Sequence, residues 1–444
     1  MTTGRFLSVQ PPWIGIVCAL VACACRSKSA PNETRAAPSA EPSARVAALG
    51  RCRAASDSAV VGLGAAGPGK PAAIDDDELA EVLPFSIELG DARAADDRFA
   101  VGGLESRSGT MHAVAAIVER DGGGRTVELG RVVGEVDPPM LVPHRGRWLG
   151  AIAEGDSAGV RLRLVRLDPP FAPADVRRGA EVTGLLRHAP GFSLESSEDG
   201  VLLAWTTQDE KASVLATAAI DPESIAPQKI ERRAFAADVD VESPRLAPRP
   251  GGYFLAYLVR EGAPSAAPAA LDDAEADVVG EGATRVEVVP LDTKGAAVAA
   301  PKRVTRTGAR VLAFDLLPVP NGGALVVYRD DAGGAGLDRP NVEAVLVDAE
   351  GSTRSGTWHV GSGVGLPTVL VDRYGRPSAP RGWVFVPGES ETRAALLGAD
   401  PVGALDFAPE PALAGAEAMA LLGRHLLRAR RRGTRVELDV VACQ

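Results

Sequence analysis

Several stretches of this chain carry residue types that do chemistry, and each demands a particular setting. Gly62-Leu63-Gly64-Ala65-Ala66-Gly67 has the glycine spacing that cradles a pyrophosphate, and Gly64 through Gly69-Lys70 nearly has the spacing that cradles a triphosphate. Both need a helix to begin at the loop, so that its first N–H groups meet the phosphates. Pro68-Gly69-Lys70-Pro71 cannot start a regular helix, and Pro71 stands where a magnesium-binding Ser or Thr belongs. A loop is expected there. Gly155-Asp156-Ser157-Ala158-Gly159 frames a serine as a nucleophile is framed, but the elbow geometry requires a helix after it. Val160 to Leu167 alternates as a strand instead, and Met111-His112-Ala113 is not the setting of an upstream base. Ser157 is therefore expected in a hairpin turn.

The five histidines, His112, His144, His188, His359 and His425, pair with no local Cys, His or carboxylate at a metal-ligand spacing. Asp75-Asp76-Asp77-Glu78 lacks the glycine and the alternation of a calcium loop and reads as an acidic surface turn. The basic run Arg424-His425, Arg428, Arg430, Arg431, Arg432 and Arg435 would suit an anionic partner, but as a solvated hairpin it needs none. No catalytic, cofactor-binding or metal-ligating residue is expected from any of these.

The elements that would have to position such residues repeat. Trp205, Tyr257 and Tyr328 close the apolar runs VLLAW, YFLAY and ALVVY, each preceded by a turn with glycine. Related runs occur at Arg98 to Leu104, Arg147 to Ala153, Arg381 to Val386 and Arg424 to Ala429, giving seven at intervals of roughly 50 residues. A second strand ending in an acidic turn follows most of them, as in Arg161 to Asp168, Arg285 to Asp292 and Asn341 to Asp348. Val214 to Asp221 and Arg393 to Asp400 are looser copies. Alternation of charged and apolar residues in Arg161-Leu162-Arg163-Leu164 and Arg435-Val436-Glu437-Leu438 gives each strand one buried face. Helix signals are few, at Asp77 to Leu83 and Glu417 to Leu422.

Meanders of about four short strands cannot hide their apolar faces singly and are best packed side by side in a ring. From about Ala59 onward the chain resembles β-propeller repeat proteins in general and matches no named blade family. The resemblance implies an all-β fold of seven blades, with six or eight blades, or tandem β-sandwiches, as the alternatives. In a closed ring, the run Arg435 to Cys443 is part of a blade that a strand around Ala59 to Gly62 would complete. A Cys52–Cys443 disulfide would then lock the ring. Cys25 offers a competing partner for Cys52, and spacing does not choose between them.

The first residues carry weak positive charge, and the apolar run Trp13 to Leu20 is too short to cross a bilayer. Leu20-Val21-Ala22-Cys23 then resembles the bacterial lipobox. That resemblance implies cleavage before Cys23 and acyl chains on Cys23; several chains matter, because one alone binds membranes only marginally. Ala24 replaces the aspartate that would resemble an inner-membrane retention signal, so the outer membrane is the expected address. Arg26 to Arg45, rich in Ala, Pro and Ser, lacks hydrophobic periodicity and reads as a disordered tether of roughly 25 Å. The expected organisation is thus a signal peptide over 1–22, a lipidated tether over 23–45 and a propeller over 46–444. The formal net charge of −10 opposes nucleic acid as a partner. The expected role is a membrane-tethered binding or scaffold protein of the envelope, with an envelope protein or glycan as partner. The alternative is an envelope hydrolase or lyase with its site at the channel mouth; a mouth lined by Gly, Ala and uncharged turns would exclude it, and clustered carboxylates would keep it.

Overall fold

A run such as Arg161-Leu162-Arg163-Leu164 buries one face only if it is extended, and it does so: residues along this strand alternate between half-exposed and buried. The computed structural model describes residues 53–54 and 61–63, then most of the chain from Ile87 to Ala442; stretches such as 263–283 and 372–381 lie outside the described residues.

Strands β1 (Arg53–Ala54) and β2 (Val61–Leu63) come first and find their partner only at the far end of the chain. β3 (Ile87–Ala95), β4 (Arg98–Arg107), β5 (Thr110–Glu119) and β6 (Gly124–Val132) form the first antiparallel meander. A second is built from β7 (Met140–His144), β8 (Arg147–Asp156), β9 (Gly159–Leu167) and β10 (Val176–Glu181). The third contains β11 (Phe192–Ser197), β12 (Gly200–Asp209), β13 (Ala212–Asp221) and β14 (Ala226–Ala234). β15 (Val239–Arg249), β16 (Gly252–Glu261), β17 (Thr284–Asp292) and β18 (Lys302–Arg303) make the fourth. β19 (Val311–Pro318), β20 (Ala324–Asp330), β21 (Asn341–Val347) and β22 (Trp358–Ser362) come next as the fifth. β23 (Thr368–Val371), β24 (Gly382–Pro387), β25 (Thr392–Leu397) and β26 (Ala408–Pro409) are the sixth. Last come β27 (Ala416–Leu422), β28 (His425–Arg432) and β29 (Arg435–Ala442), and both β1 and β2 pair with β29.

The first strands of successive sheets stand next to one another, and β27 lies beside β3, so the meanders close into a ring. The protein is an all-β β-propeller. Each of the seven apolar runs found in the sequence is the second strand of a sheet, and Trp205, Tyr257 and Tyr328 are buried within them. These second strands do not alternate. β16 is buried at eight consecutive residues and β4 at seven, because sheets stacked on both sides cover both faces. The fourth strands β10 and β14 are half-exposed to exposed throughout. Glu417 to Leu422, expected as a helical turn, is strand β27 instead. Its helix-favouring residues yield to cross-strand pairing with β28, and residues 418–422 are buried. The other expected helical stretch, 77–83, lies outside the described residues.

The acidic turns after the third strands hold the sheets together. Asp292 and Asp348 each accept two backbone N–H groups through one carboxylate oxygen, which tightens the turn. The tightened turn then docks on the preceding sheet. Thr217 on β13 donates its hydroxyl to the carbonyl of Gly295 at 2.8 Å. Gly351 approaches Pro290 on β17, and Arg166 on β9 donates to the carbonyl of Pro222. Thr217→Val keeps the shape but strands the buried Gly295 carbonyl, with an expected loss of about 1–2 kcal/mol, readable as a lower urea midpoint with unchanged slope.

Candidate functional site

A cavity of about 570 Å³ runs along the axis where the first strands converge. Residues of β3, β7, β11, β15, β19 and β27 line it, together with Asp137 and Pro138 from the connection before β7. Its wall carries the carboxylates of Glu88, Asp91, Asp137, Glu195, Asp315 and Glu417 and the guanidinium groups of Arg93 and Arg245.

Backbone irregularities put two of these charges there. The ladder between β3 and β4 slips between Leu89 and Ala92, so Asp91 sits on a bulge. The ladder between β15 and β16 slips between Glu242 and Arg245. Within that second bulge Ser243 has φ of 53°, a left-handed conformation costly for a residue with a Cβ. Gly191 packs beside the bulge, where a Cβ would lie at about 3.5 Å from the Pro244 ring and 3.6 Å from the Ser243 nitrogen. Bulges of this kind re-aim side chains, and these two turn Asp91 and Arg245 toward the cavity.

Asp137 arrives by a different route. The Pro138–Pro139 backbone lies directly on β3 and β4, against Gly90 and Gly102. A Cβ on Gly90 would come to 3.0 Å from the Pro139 carbonyl oxygen, and one on Gly102 would overlap that oxygen. Both glycines are seats for the segment that carries Asp137. Gly102→Ala must push backbone against backbone and is expected to cost about 3 kcal/mol, whereas Gly184→Ala, with open space around it, should be near neutral. Chemical denaturation of the pair reads the difference.

The charges are not equivalent. Arg93 lies 3.3 Å from Asp91 and 3.9 Å from Glu195, whose side chain is only 2% exposed. Glu195 also accepts the N–H of Ser196. Arg245, by contrast, makes its one hydrogen bond among the described residues to the carbonyl of Pro244, at 3.2 Å. The crowded wall opposes ionisation of Asp91, but Arg93 and Arg245 hold its carboxyl below the usual aspartate range. The same crowding, aided by the charge on Asp91, pushes the Asp137 carboxyl up despite Arg245. Asp137 therefore favours the fold while protonated, and that contribution is lost as pH rises through its raised value. Asp137→Asn should gain stability relative to the parent as pH climbs from about 4 toward 7, checked by denaturation midpoints across that range.

Residues singled out in the sequence lie elsewhere. Gly155–Gly159 is the β8–β9 hairpin, with Asp156 opposite Gly159, and Ser157 itself lies outside the described residues. Gly62 is in β2 opposite Glu437, so the strand expected around Ala59 to Gly62 does pair with the last strand, and at this position it replaces the loop expected from the glycine spacing. Gly64 to Pro71, Asp75 to Glu78, Cys23, Cys52, Cys443 and His188 lie outside the described residues. His144 is buried, and burial with Arg145 nearby holds its imidazole below the ordinary range. His112 faces Glu128 at 3.1 Å. Among the described residues no group of His, Cys, Asp and Glu is placed to hold a metal. The basic run is largely spent on internal partners: Arg428 and Arg430 meet Asp439, and Arg431 meets Glu417. Sequence reading missed Asp91, Asp137 and Arg245. The Pro138-Pro139 pair and the Ser243-Pro244 step inside a strand were the signals available.

No protein-family model matches the chain, and no curated protein matches it in sequence. Among solved structures it is similar to the polysaccharide lyase Uly1, with a TM-score of 0.53 at 8% identity over 80% of this chain and 89% of that one. It is also similar to a PL25 ulvan lyase bound to -[GlcA(1-4)Rha3S]-, with a TM-score of 0.51 at 11% identity over 79% and 91% of the two chains. At such identities the likeness is one of fold, and the fold it supports is the propeller.

Proposed function

We propose that this chain is an envelope lipoprotein whose propeller binds a small polar ligand in its central channel. In this reading residues 1–22 are a signal peptide, lipid on Cys23 anchors the protein to the outer membrane, residues 23–45 are the tether, and each of the seven sheets over 46–444 is one blade. The membrane is then a partner through the anchor, and an envelope protein or glycan engages the exposed loops. One observation carries the binding role: two bulged strands and a diproline segment seated on glycines gather Asp91, Asp137, Arg93 and Arg245 in one cavity. Backbone strain of this sort is kept where the surroundings require it. The test is thermal unfolding of the intact protein with the small-molecule fraction of an envelope extract. The melting temperature should rise for the parent and not for Met140→Trp, which fills channel space. An equal rise in both would count against the channel. Cys23→Ala should abolish incorporation of a labelled fatty acid and release the protein from membranes.

A second reading, an envelope hydrolase or lyase, is favoured by the opposed displacements of Asp91 and Asp137, since two carboxyls pushed apart suit one base and one acid. The channel is not lined by Gly, Ala and uncharged turns, so the condition that would have excluded an enzyme is not met. The two propeller neighbours are polysaccharide lyases by name, which supports the idea that this fold hosts such chemistry and says nothing of these residues. Turnover of envelope glycans or peptides that disappears in both Asp91→Asn and Asp137→Asn would establish this reading over simple binding.

A further inference from the structure

The wall of the channel also bears on the chemistry of its ligand, an inference that rests on the proposed binding role. Six carboxylates and two guanidinium groups line the cavity. That balance repels a polyanion, because desolvated like charges brought close cost more than the two arginines return. A bare metal cation is equally ill suited, since among the described residues no group of three His, Cys, Asp or Glu side chains converges to hold one. A simple organic cation would have to sit beside Arg245.

Arg245 is the distinctive feature. Arg93 is committed to Asp91 and Glu195, whereas Arg245 spends one N–H on its own neighbour's carbonyl and forms no ion pair among the described residues. A guanidinium presents five N–H donors in a planar fork that fits a carboxylate bidentately. Asp91 and Asp137 lie close enough to feel the charge of Arg245, and each carboxylate offers more acceptor positions than its present partners use. Between these groups the wall is apolar, with Leu89, Phe192, Leu316 and Met419 available to cover a side chain. Positive and negative ends are thus offered side by side in a cavity of about 570 Å³.

We propose that the channel receives a small amphoteric molecule of the short-peptide class, its carboxylate on Arg245 and its ammonium group against Asp91 and Asp137. The carboxylate replaces water on the Arg245 fork, and the ammonium group takes the acceptor positions left on the two aspartates. Raised affinity of Asp137 for a proton tunes this: an ammonium ligand favours the ionised form, so binding strengthens as pH rises through that raised value.

The test is calorimetric titration of the detergent-solubilised full-length protein with alanyl-alanine, its C-terminal amide and its N-acetyl form. Each blocked form loses a charge-assisted contact and is expected to bind at least about tenfold more weakly. In Arg245→Met the dipeptide and its amide should become equivalent, while Arg245→Lys retains part of the difference. In Asp137→Asn the dipeptide and the N-acetyl form should converge. Circular dichroism of each variant checks that the propeller is intact. Equal binding of all three probes to the parent overturns the amphoteric assignment. If no probe binds but the envelope extract still stabilises the parent and not Met140→Trp, the peptide class is wrong and the channel reading stands. If neither responds, both fall.

Discussion

Replacing Cys443 by serine is expected to lower the unfolding free energy by about 4–5 kcal/mol. The reason lies in the seam of the ring. β1 pairs with β29 in a register that sets Arg53 opposite Ala442 and Ala54 opposite Val441. One further step of the same pairing would match Cys52 with Cys443, two residues outside the described set. We propose that they are bonded. The bridge would close a loop of roughly 390 residues, and the entropy removed from the unfolded chain grows with the logarithm of that length. Guanidinium denaturation with and without reductant should move the parent midpoint to that of Cys443→Ser, and Cys52→Ser should behave alike. Cys25→Ser decides the competing pairing: it should leave the parent unchanged, and a loss equal to that of Cys52→Ser would assign the bridge to Cys25 and Cys52.

Asp439→Ala is the second large effect, with an expected cost of about 3–5 kcal/mol. Arg428 and Asp439 are directly opposite each other on β28 and β29, and the guanidinium meets both carboxylate oxygens, at 2.7 and 2.6 Å. Both side chains are nearly inaccessible, at 10% and 9% exposure. Removing the carboxylate takes away the counter-charge that holds Arg428 through both oxygens and Arg430 at 3.5 Å, and the desolvation it no longer offsets sets the cost. The paired replacement Arg428→Met with Asp439→Leu should recover most of the loss, because two apolar groups of similar volume need no partner. Thermal and urea unfolding of the three variants distinguish this from a surface ion pair, for which all would lie within about 1 kcal/mol of the parent.

This pair also explains where sequence reading succeeded and where it stopped. Period-two patterns and apolar runs that end in Trp205, Tyr257 and Tyr328 are local, so the strands and their repetition were legible. The acidic turns were legible too, because Asp292 and Asp348 organise their own backbone within four residues. The partner of Arg428 was not, since a strand face buried by its neighbour cannot be told from one facing water by the run of arginines alone. Bulges are harder still. Whether Asp91 or Arg245 points at the axis depends on a one-residue slip against β4 or β16, and a slip reverses every face beyond it. Glu417 to Leu422 misled for the opposite reason: its residues prefer helix locally, and only pairing with β28 overrides them.

The seam has a consequence for biogenesis. β1 and β2 are among the earliest strands to be synthesised, yet their partner β29 is the last. A chain interrupted anywhere before Arg435 holds two strands with unsatisfied backbone edges and a final sheet that cannot form, and such edges attract other chains. Completion of the ring therefore reports that synthesis has passed β29, and every copy truncated before it leaves its first strands unguarded.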